Sequence, residues 1–445
     1  MALSGLDIYK LLPKTNCREC GSVTCLAFAM LLAKRQIQSE KCPYLSDDAK
    51  RALEAASRPP IRLVIIGEGE DRLDIGNETV MFRHEEKFYH PCGLGFIIED
   101  NLKDEEISKI INKINALSFE RIGAVLRPNL IAVRQNQDGD RFVQVVKMVK
   151  ENAKLCLVLM SNDPQAQKKA LQIVSPVKPL IYCLNKDNYQ DFSQLALEFK
   201  VPVAVYAQDL NGISEITQEL INQGIEDLVL DTGNKGIAEK IWDLTQIRRL
   251  SLYRSQRSLG FPPLIIVEDG VDLFQETLGA ATFVAKYAGI VLIRGNQLWE
   301  VLTLLTLRQN IYTDPQKPLQ VESKIYPVGN VNDKSPVLIT TNFSLTYYTV
   351  LGEVEASKIP SYIIAADTEG MSVLTAWAAE KFTSETIAAS LNKIGINDRV
   401  SHKRLIIPGY VAVMSGDLEE KSGWQVMVGP KEASGIPAFL KNLPP

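Results

Sequence analysis

The sequence predicts an α/β protein in three parts: a small cysteine-bearing N-terminal domain, a central (β/α)8 TIM barrel and a C-terminal doubly wound α/β domain. Three observations predict it. Four of the seven cysteines, Cys17, Cys20, Cys25 and Cys42, fall in the first tenth of the chain. From Gly95 onward, eight short apolar runs alternate with amphipathic helical stretches, the pattern of successive βα units. The final 109 residues show the same alternation with Gly-, Ser- and Thr-rich loops, after a proline-rich stretch.

Composition sets the outer limits. A chain of 445 residues suggests roughly three domains at about 150 residues each. Hydrophobic residues are 46% and charged residues 23%, which excludes disorder as the dominant state. Acids outnumber bases by 53 to 49, so the basic excess of a non-specific nucleic-acid binder is missing. The apolar run Cys25–Ala33 is nine residues long, and a membrane span needs about 20. The opening MALSGLDIYK lacks the basic and long apolar stretches of a secretory signal. No nucleic acid, no membrane and a cytoplasmic location are expected.

Residues 1–58 are read as the metal-binding part. The spacing is C-x2-C-x4-C-x16-C, and four thiols so close in a reducing compartment point to a metal site rather than disulfides. Zinc sites favour paired C-x2-C hooks or histidine, and no histidine precedes His84. An iron–sulfur cluster takes four thiolates, and Cys42-Pro43 matches the Cys-Pro that closes bacterial ferredoxin motifs. Both metals stay open on spacing alone. Val23–Gln36 is expected as a helix with Cys25 in its first turn, where the helix dipole favours a thiolate.

Residues 59–311 are read as the barrel, with an N-terminal connector over 59–92 that holds a strand candidate at Arg62–Ile66 before Gly- and charge-rich sequence. The expected strands are Gly95–Ile98, Arg121–Leu126 running on into Leu130–Val133, Leu155–Met160, Leu180–Cys183, Val203–Ala207, Asp227–Leu230, Leu264–Val267 and Ile290–Ile293. A doubly wound open sheet is the alternative. Polar candidates at strand ends are Asn162, Asp163, Asn185, Lys186, Gln208, Asp209, Asp231, Asn234, Glu268, Asp269, Arg294 and Asn296; ordinary loop polarity is the favoured reading of any one of them. No histidine lies among these units, which excludes histidine acid–base chemistry there. Cys156 and Cys183 read as small core residues.

Residues 312–336 carry Pro315, Pro318, Pro327 and Pro336 and read as an extended linker. In residues 337–445 the runs Val337–Thr341, Tyr362–Ala365, Leu405–Ile407 and Gln425–Val428 read as buried strands. Each is followed by a loop of small residues, where an open parallel sheet binds ligands. None of these loops matches G-x-G-x-x-G or G-x-x-x-x-G-K-[ST], so a dinucleotide or nucleoside triphosphate is not expected.

The segment TNCRECGSVTCLAFAMLLAKRQIQSEKCPYL, the barrel, and the stretches LITTNFSLTYYTV, DTEGMSVLTAWAA and GPKEASGIP resemble the large (gamma) subunits of corrinoid iron–sulfur proteins of the reductive acetyl-CoA (Wood–Ljungdahl) pathway, over essentially the whole chain. The resemblance implies a methyl carrier. Through a methyltransferase it would take a methyl group from methyltetrahydrofolate onto Co(I) of a bound cobamide, and it would deliver that group to acetyl-CoA synthase. It implies a 4Fe-4S cluster on Cys17, Cys20, Cys25 and Cys42 that reduces Co(II) for reactivation, and a heterodimer with a small subunit. A reductive activator is a further implied partner.

The cobamide contacts implied on the last domain are Thr340, Asn342, Ser344, Thr346, Gly370, Met371, Ser372, Val373, Leu374, Gly409, Tyr410, Ala433 and Gly435, with Thr375 near the lower cobalt face. The D-x-H-x-x-G motif of many other cobamide domains is missing, so no protein ligand to cobalt is expected. A tethered last domain could swing on the linker between partners. The competing readings are an iron–sulfur electron-transfer subunit without cobamide and a zinc-stabilised scaffold.

Overall fold

At the N-terminus, α1 (Gly5–Leu11) packs on α2 (Cys25–Ala33) in the computed structural model, which describes residues 5–33, 37–46, 49–50, 53, 58–267, 270–316 and 318–443. Residues 34–36 of the expected helix, 56–57 before the barrel, and the candidates Glu268 and Asp269 lie outside the described residues. Ile8, Leu12, Phe28, Ala29 and Leu45 make a small core that takes in Cys25 and Cys42. The helix starts at Cys25 rather than Val23, because the side chain of Asn16 accepts the Cys25 N–H at 2.8 Å and ends the preceding loop.

The connector over 59–92 bears the expected first strand and adds a second. It holds an antiparallel hairpin, β1 (Val64–Ile66) and β2 (Leu73–Ile75). Val64, Ile66, Leu73 and Ile75 share one core with Leu130, Cys156, Leu180, Leu264 and Ile290. These five stand at or near the N-terminal ends of barrel strands, so the hairpin plugs the barrel's lower opening.

The barrel follows as β3 (Gly93–Glu99) with α3 (Asp104–Asn115). A second hairpin intervenes, β4 (Phe119–Arg121) and β5 (Ala124–Leu126). Then come β6 (Leu130–Arg134) with α4 (Gly139–Asn152), β7 (Cys156–Met160) with α5 (Pro164–Val174), β8 (Leu180–Leu184) with α6 (Tyr189–Phe199), and β9 (Val203–Tyr206) with α7 (Leu210–Asn222). The last units are β10 (Leu228–Asp231) with α8 (Ile237–Tyr253), β11 (Leu264–Ile266) with α9 (Leu273–Ala285), and β12 (Ile290–Ile293) with α10 (Leu298–Tyr312). The eight strands are parallel in the order β10-β9-β8-β7-β6-β3-β12-β11. A parallel bridge from Leu230 to Pro263 brings β10 back against β11. The sheet is thus a (β/α)8 barrel and not an open sheet. One strand is corrected: Arg121–Leu126 is a hairpin, and Leu130–Arg134 alone joins the barrel. Ile122 and Gly123, both at positive φ, reverse the chain between β4 and β5.

The chain divides into two units, Met1–Phe119 with Leu126–Tyr312 and Glu120–Val125 with Thr313–Pro445. The second unit contains β13 (Ile325–Val328), β14 (Val337–Thr341), α11 (Ser344–Ser357), β15 (Ser361–Ala366), α12 (Val373–Ala378), α13 (Ser384–Ile394), β16 (Arg404–Ile407), α14 (Ser415–Ser422), β17 (Gln425–Val428) and α15 (Ile436–Lys441). Its sheet order is β13-β15-β14-β16-β17. All pairs are parallel except β13 with β15. Val337 and Ile339 enter one core while Leu338 enters the other, the period-2 alternation of a sheet covered on both faces. The stretch expected as an extended linker therefore carries a strand. Pro327 is tolerated in β13 because that strand is an edge.

Candidate functional site

Cys25 and Cys42 belong to the small N-terminal core, Cys20 packs against it, and Cys17 lies on the same loop as Cys20. Cys17 is exposed, Cys20 half-buried, and Cys25 and Cys42 buried. The loop between α1 and α2 takes positive φ at Lys14, Asn16, Arg18 and Gly21, wrapping Cys17 and Cys20 around the start of α2. Cys42 follows the short 3-10 turn Ser39–Lys41 and returns to the same core. Burial pushes the Cys42 thiol above its ordinary value, the Tyr44 amide draws it back, and Cys20, Cys17 and Cys25 add to the rise. Asn16 N–H points at Cys25 Sγ from 3.4 Å. Amide donors aimed at sulfur suit a thiolate. Among the described residues no three Cys, His, Asp or Glu stand ready to hold one metal ion. The donor chemistry of four thiols, two of them with amide donors, fits a thiolate-ligated centre.

In the second unit, β14 and β16 pair at one register position only, Leu338 with Ile406. Their C-terminal ends therefore part. Strand order reverses between these two strands, the place where open parallel sheets bind ligands. A mainly apolar cavity of about 380 Å³ opens there. Of the implied contacts, Thr340, Thr346, Ser372, Val373, Tyr410 and Ala433 line it. Thr340 Oγ1 is buried with no hydrogen-bond partner. Leu345, Leu374, Trp377, Tyr410 and Val413 are exposed apolar side chains of the neighbouring loops and helices.

The other implied contacts are placed elsewhere. Asn342 is a clamp: its Oδ1 accepts from Thr368 N, Thr368 Oγ1 and Gly370 N, each at 3.0 Å. Ser344 is buried at the start of α11. Gly370 has φ +74 and abuts Gln320, where a Cβ would lie 2.6 Å from its side chain. Gly409 and Gly435 let the 429–431 backbone and Pro430 pass close. Met371 packs on the core. Leu374 and Thr375 are exposed, and the Thr375 hydroxyl bonds Ser372 Oγ at 2.9 Å. Sequence reasoning did not single out the apolar wall: Phe343 stands in the loop before α11, and Val350, Ile436 and Phe439 stand in helices, where an apolar residue looks like core. His402 bonds the Ser335 carbonyl at 3.0 Å ahead of β16, away from the strand ends.

In the barrel, Asp163 and Asp209 cap helices α5 and α7. Asn185 accepts the Asp187 N–H in a tight turn, and with Lys186 and Gln208 it borders a surface depression. Arg294 pairs with Glu99 at 2.9 Å, and Asn296 accepts from Lys113 at 2.8 Å. Asn162, Asp231 and Asn234 come together around a cavity at the upper end of the barrel.

The chain is similar to known proteins over its whole length. A family described as "CO dehydrogenase/acetyl-CoA synthase delta subunit" matches residues 63–440. The corrinoid/iron-sulfur protein large subunit of Moorella thermoacetica is 46% identical over 442 residues, 99% of each chain. The chain belongs to the family of the corrinoid/iron-sulfur protein large subunit. The gamma subunit of the acetyl-CoA decarbonylase/synthase complex of Methanothermobacter thermautotrophicus, another relative, is 34% identical over 457 residues, covering 100% of this chain and 99% of that one. A second family, described as "Putative Fe-S cluster", matches residues 12–44 and so spans all four clustered cysteines. No helix among the described residues is long and apolar enough to cross a membrane.

Proposed function

We propose that this member of the corrinoid/iron-sulfur large-subunit family is a corrinoid methyl carrier of acetyl-CoA metabolism. When bound, a cobamide supplies a cobalt centre that takes up and passes on a methyl group, and a low-potential four-iron cluster supplies single electrons that keep it active. The methyl donor in this reading is methyltetrahydrofolate, handled by a separate methyltransferase, and the acceptor is acetyl-CoA synthase. Cys17, Cys20, Cys25 and Cys42 would hold the cluster.

The observation that carries the corrinoid assignment is the apolar cavity at the parted ends of β14 and β16. A corrin macrocycle is too large to enter about 380 Å³, so the ring would lie outside, over Leu374, Trp377 and Tyr410. The cavity suits the flat aromatic base at the end of a cobamide tail. Thr340 offers a hydroxyl there, and no histidine is among the residues lining the cavity.

A small-subunit partner fits an apolar face on the barrel. Trp242 of α8, Phe274 and Leu278 of α9, and Leu298 of α10 are all more than half exposed. Gly279 lets α8 approach α9, with Ile237 3.7 Å from where a Cβ would stand. Large apolar side chains left exposed on neighbouring helices are a feature of association surfaces. Glu at Trp242 and Phe274 together should shift the co-expressed heterodimer toward separate subunits in size-exclusion chromatography.

The deciding experiment is iron and cobalt analysis of anaerobically purified protein with its optical spectrum. About four iron and one cobalt per chain are expected, with corrinoid bands that change on reduction. Iron without cobalt would reduce the protein to an electron-transfer subunit.

A further inference from the structure

The sheet of the last domain has a second opening. Strands β14 and β16 pair only at Leu338 and Ile406, so the ladder between them is incomplete below that position as well as above it. At the lower end, where these strands begin, a cavity of about 530 Å³ opens. Among the described residues only Ile406 borders both this cavity and the one at the upper ends. The lower wall has two parts. Val337 and Ile406 are buried, and with Pro336, Met427 and Leu443 they form an apolar floor. Lys334 and Ser401, both exposed, and the half-buried His402 and Arg404 form a polar rim.

Charge and burial together narrow the ligand. His402 is already committed. Its Nδ1 accepts the Arg404 N–H at 3.2 Å, which leaves Nε2 to donate to the Ser335 carbonyl at 3.0 Å. The ring is therefore a fixed wall, and the charge at the rim comes from Lys334 and Arg404. No carboxylate is among the described residues lining the cavity, so its field favours an anion. A bare inorganic anion would leave the apolar floor uncovered. A neutral hydrocarbon would cover the floor but strip water from the cations without replacing it. A molecule with an anionic head and an apolar body satisfies both parts. The volume suits a small organic molecule, and the unbranched Met427 side chain can adapt to its outline. A guanidinium matches a carboxylate with two parallel N–H donors.

We propose that this lower cavity binds a small amphipathic carboxylate, with its head between Arg404 and Lys334 and its hydrocarbon body against Ile406 and Met427. The site stands apart from the corrinoid assignment, because it lies at the opposite end of the strands. The test titrates octanoate into the full-length, anaerobically purified protein, followed by calorimetry and by NMR of carbon-13-labelled methionine methyl groups. Octanol, which lacks the charge, and inorganic phosphate, which lacks the apolar body, are the matched controls. Octanoate should bind saturably at one site and shift the Met427 methyl signal, and each control should bind more weakly by roughly tenfold or more. Arg404→Met keeps an apolar stem but removes the charge, and should weaken octanoate binding by a similar factor. Lys334→Met, at an exposed position, should also weaken it and guards against a folding defect in the first variant. Iron and cobalt contents should stay unchanged in both. No saturable octanoate binding by the parent protein, equal affinity for octanol, or unaltered binding by both variants would overturn the proposal.

Discussion

Glu300→Gln should make the barrel more stable in alkali and leave it nearly unchanged in acid. Glu300 of α10 is fully buried, and Glu276 of α9 is 4% exposed. Glu276 accepts the N–H groups of Arg294 and Gly295, both at 2.8 Å. Thr277 donates to Glu300 at 3.3 Å. Burial first, and then the charge of Glu276, pushes Glu300 up from 4.5 to about 7. Its raised value means that stability is fully present below pH 4.5 and is lost as pH rises through about 7. Each factor of ten in proton affinity is worth about 1.4 kcal/mol, so ionising Glu300 removes roughly 3 kcal/mol by mildly alkaline pH. Glutamine has no proton to lose, and its N–H2 can still donate to Glu276. Calorimetric unfolding at pH 5, 6.5 and 8, with hydrogen exchange at the Arg294 and Gly295 amides, measures the difference. A variant destabilised equally at every pH would refute the assignment of the raised value to Glu300.

Serine at any one of Cys17, Cys20, Cys25 or Cys42 should lower iron content by half or more, whereas Cys156→Ala should not. Burial pushes Cys92, Cys156 and Cys183 up to about 12, so mass spectrometry after alkylation of folded protein at pH 8 should find all three unmodified. Val350→Trp, which fills the cavity beside β14, should abolish cobalt retention while iron stays constant. Arg248→Met should destabilise the barrel by roughly 3–5 kcal/mol in urea unfolding, because it strands a buried carboxylate. Arg248 is 3% exposed, bonds Glu78 at 2.9 Å, and lies over the rings of Phe88 and Tyr287 at 4.6 and 4.7 Å. Adding Glu78→Gln should recover part of the loss.

The barrel was legible because each strand is a continuous apolar run between polar loops, as in Leu157–Met160 and Ile290–Ile293, and both faces of such strands are buried. Of the β1–β2 hairpin only the first strand was legible, as the mainly apolar run Arg62–Ile66. Its strands are three residues long, and Glu68, Glu70, Asp71 and Arg72 crowd the turn. β13 was hidden by Pro327, which signals a connector unless the strand is known to lie at an edge. In the last domain the strands and their order of loops could be read, but not where the cavity opens. That depends on the single β14–β16 pairing, a property of tertiary geometry. The small residues in the loops drew attention to close backbone passages such as Gly409 against Gly429, while the cavity wall came from Phe343, Ile436 and Phe439, which carry no signal distinguishing them from ordinary core. The cysteines were legible for the opposite reason, since thiol chemistry resides in residue identity and spacing.

The hairpin beneath the barrel also governs how the polypeptide can be cut. A fragment begun at Gly93 would leave Leu130, Cys156, Leu180 and Ile290 facing water through an open base, with nothing to stop two such fragments sticking together. The usable scissors point lies ahead of Ile61, whose backbone pairs with Glu78 to hold the hairpin in place. A stand-alone cylinder must bring its own stopper, and here that stopper is written before the first stave.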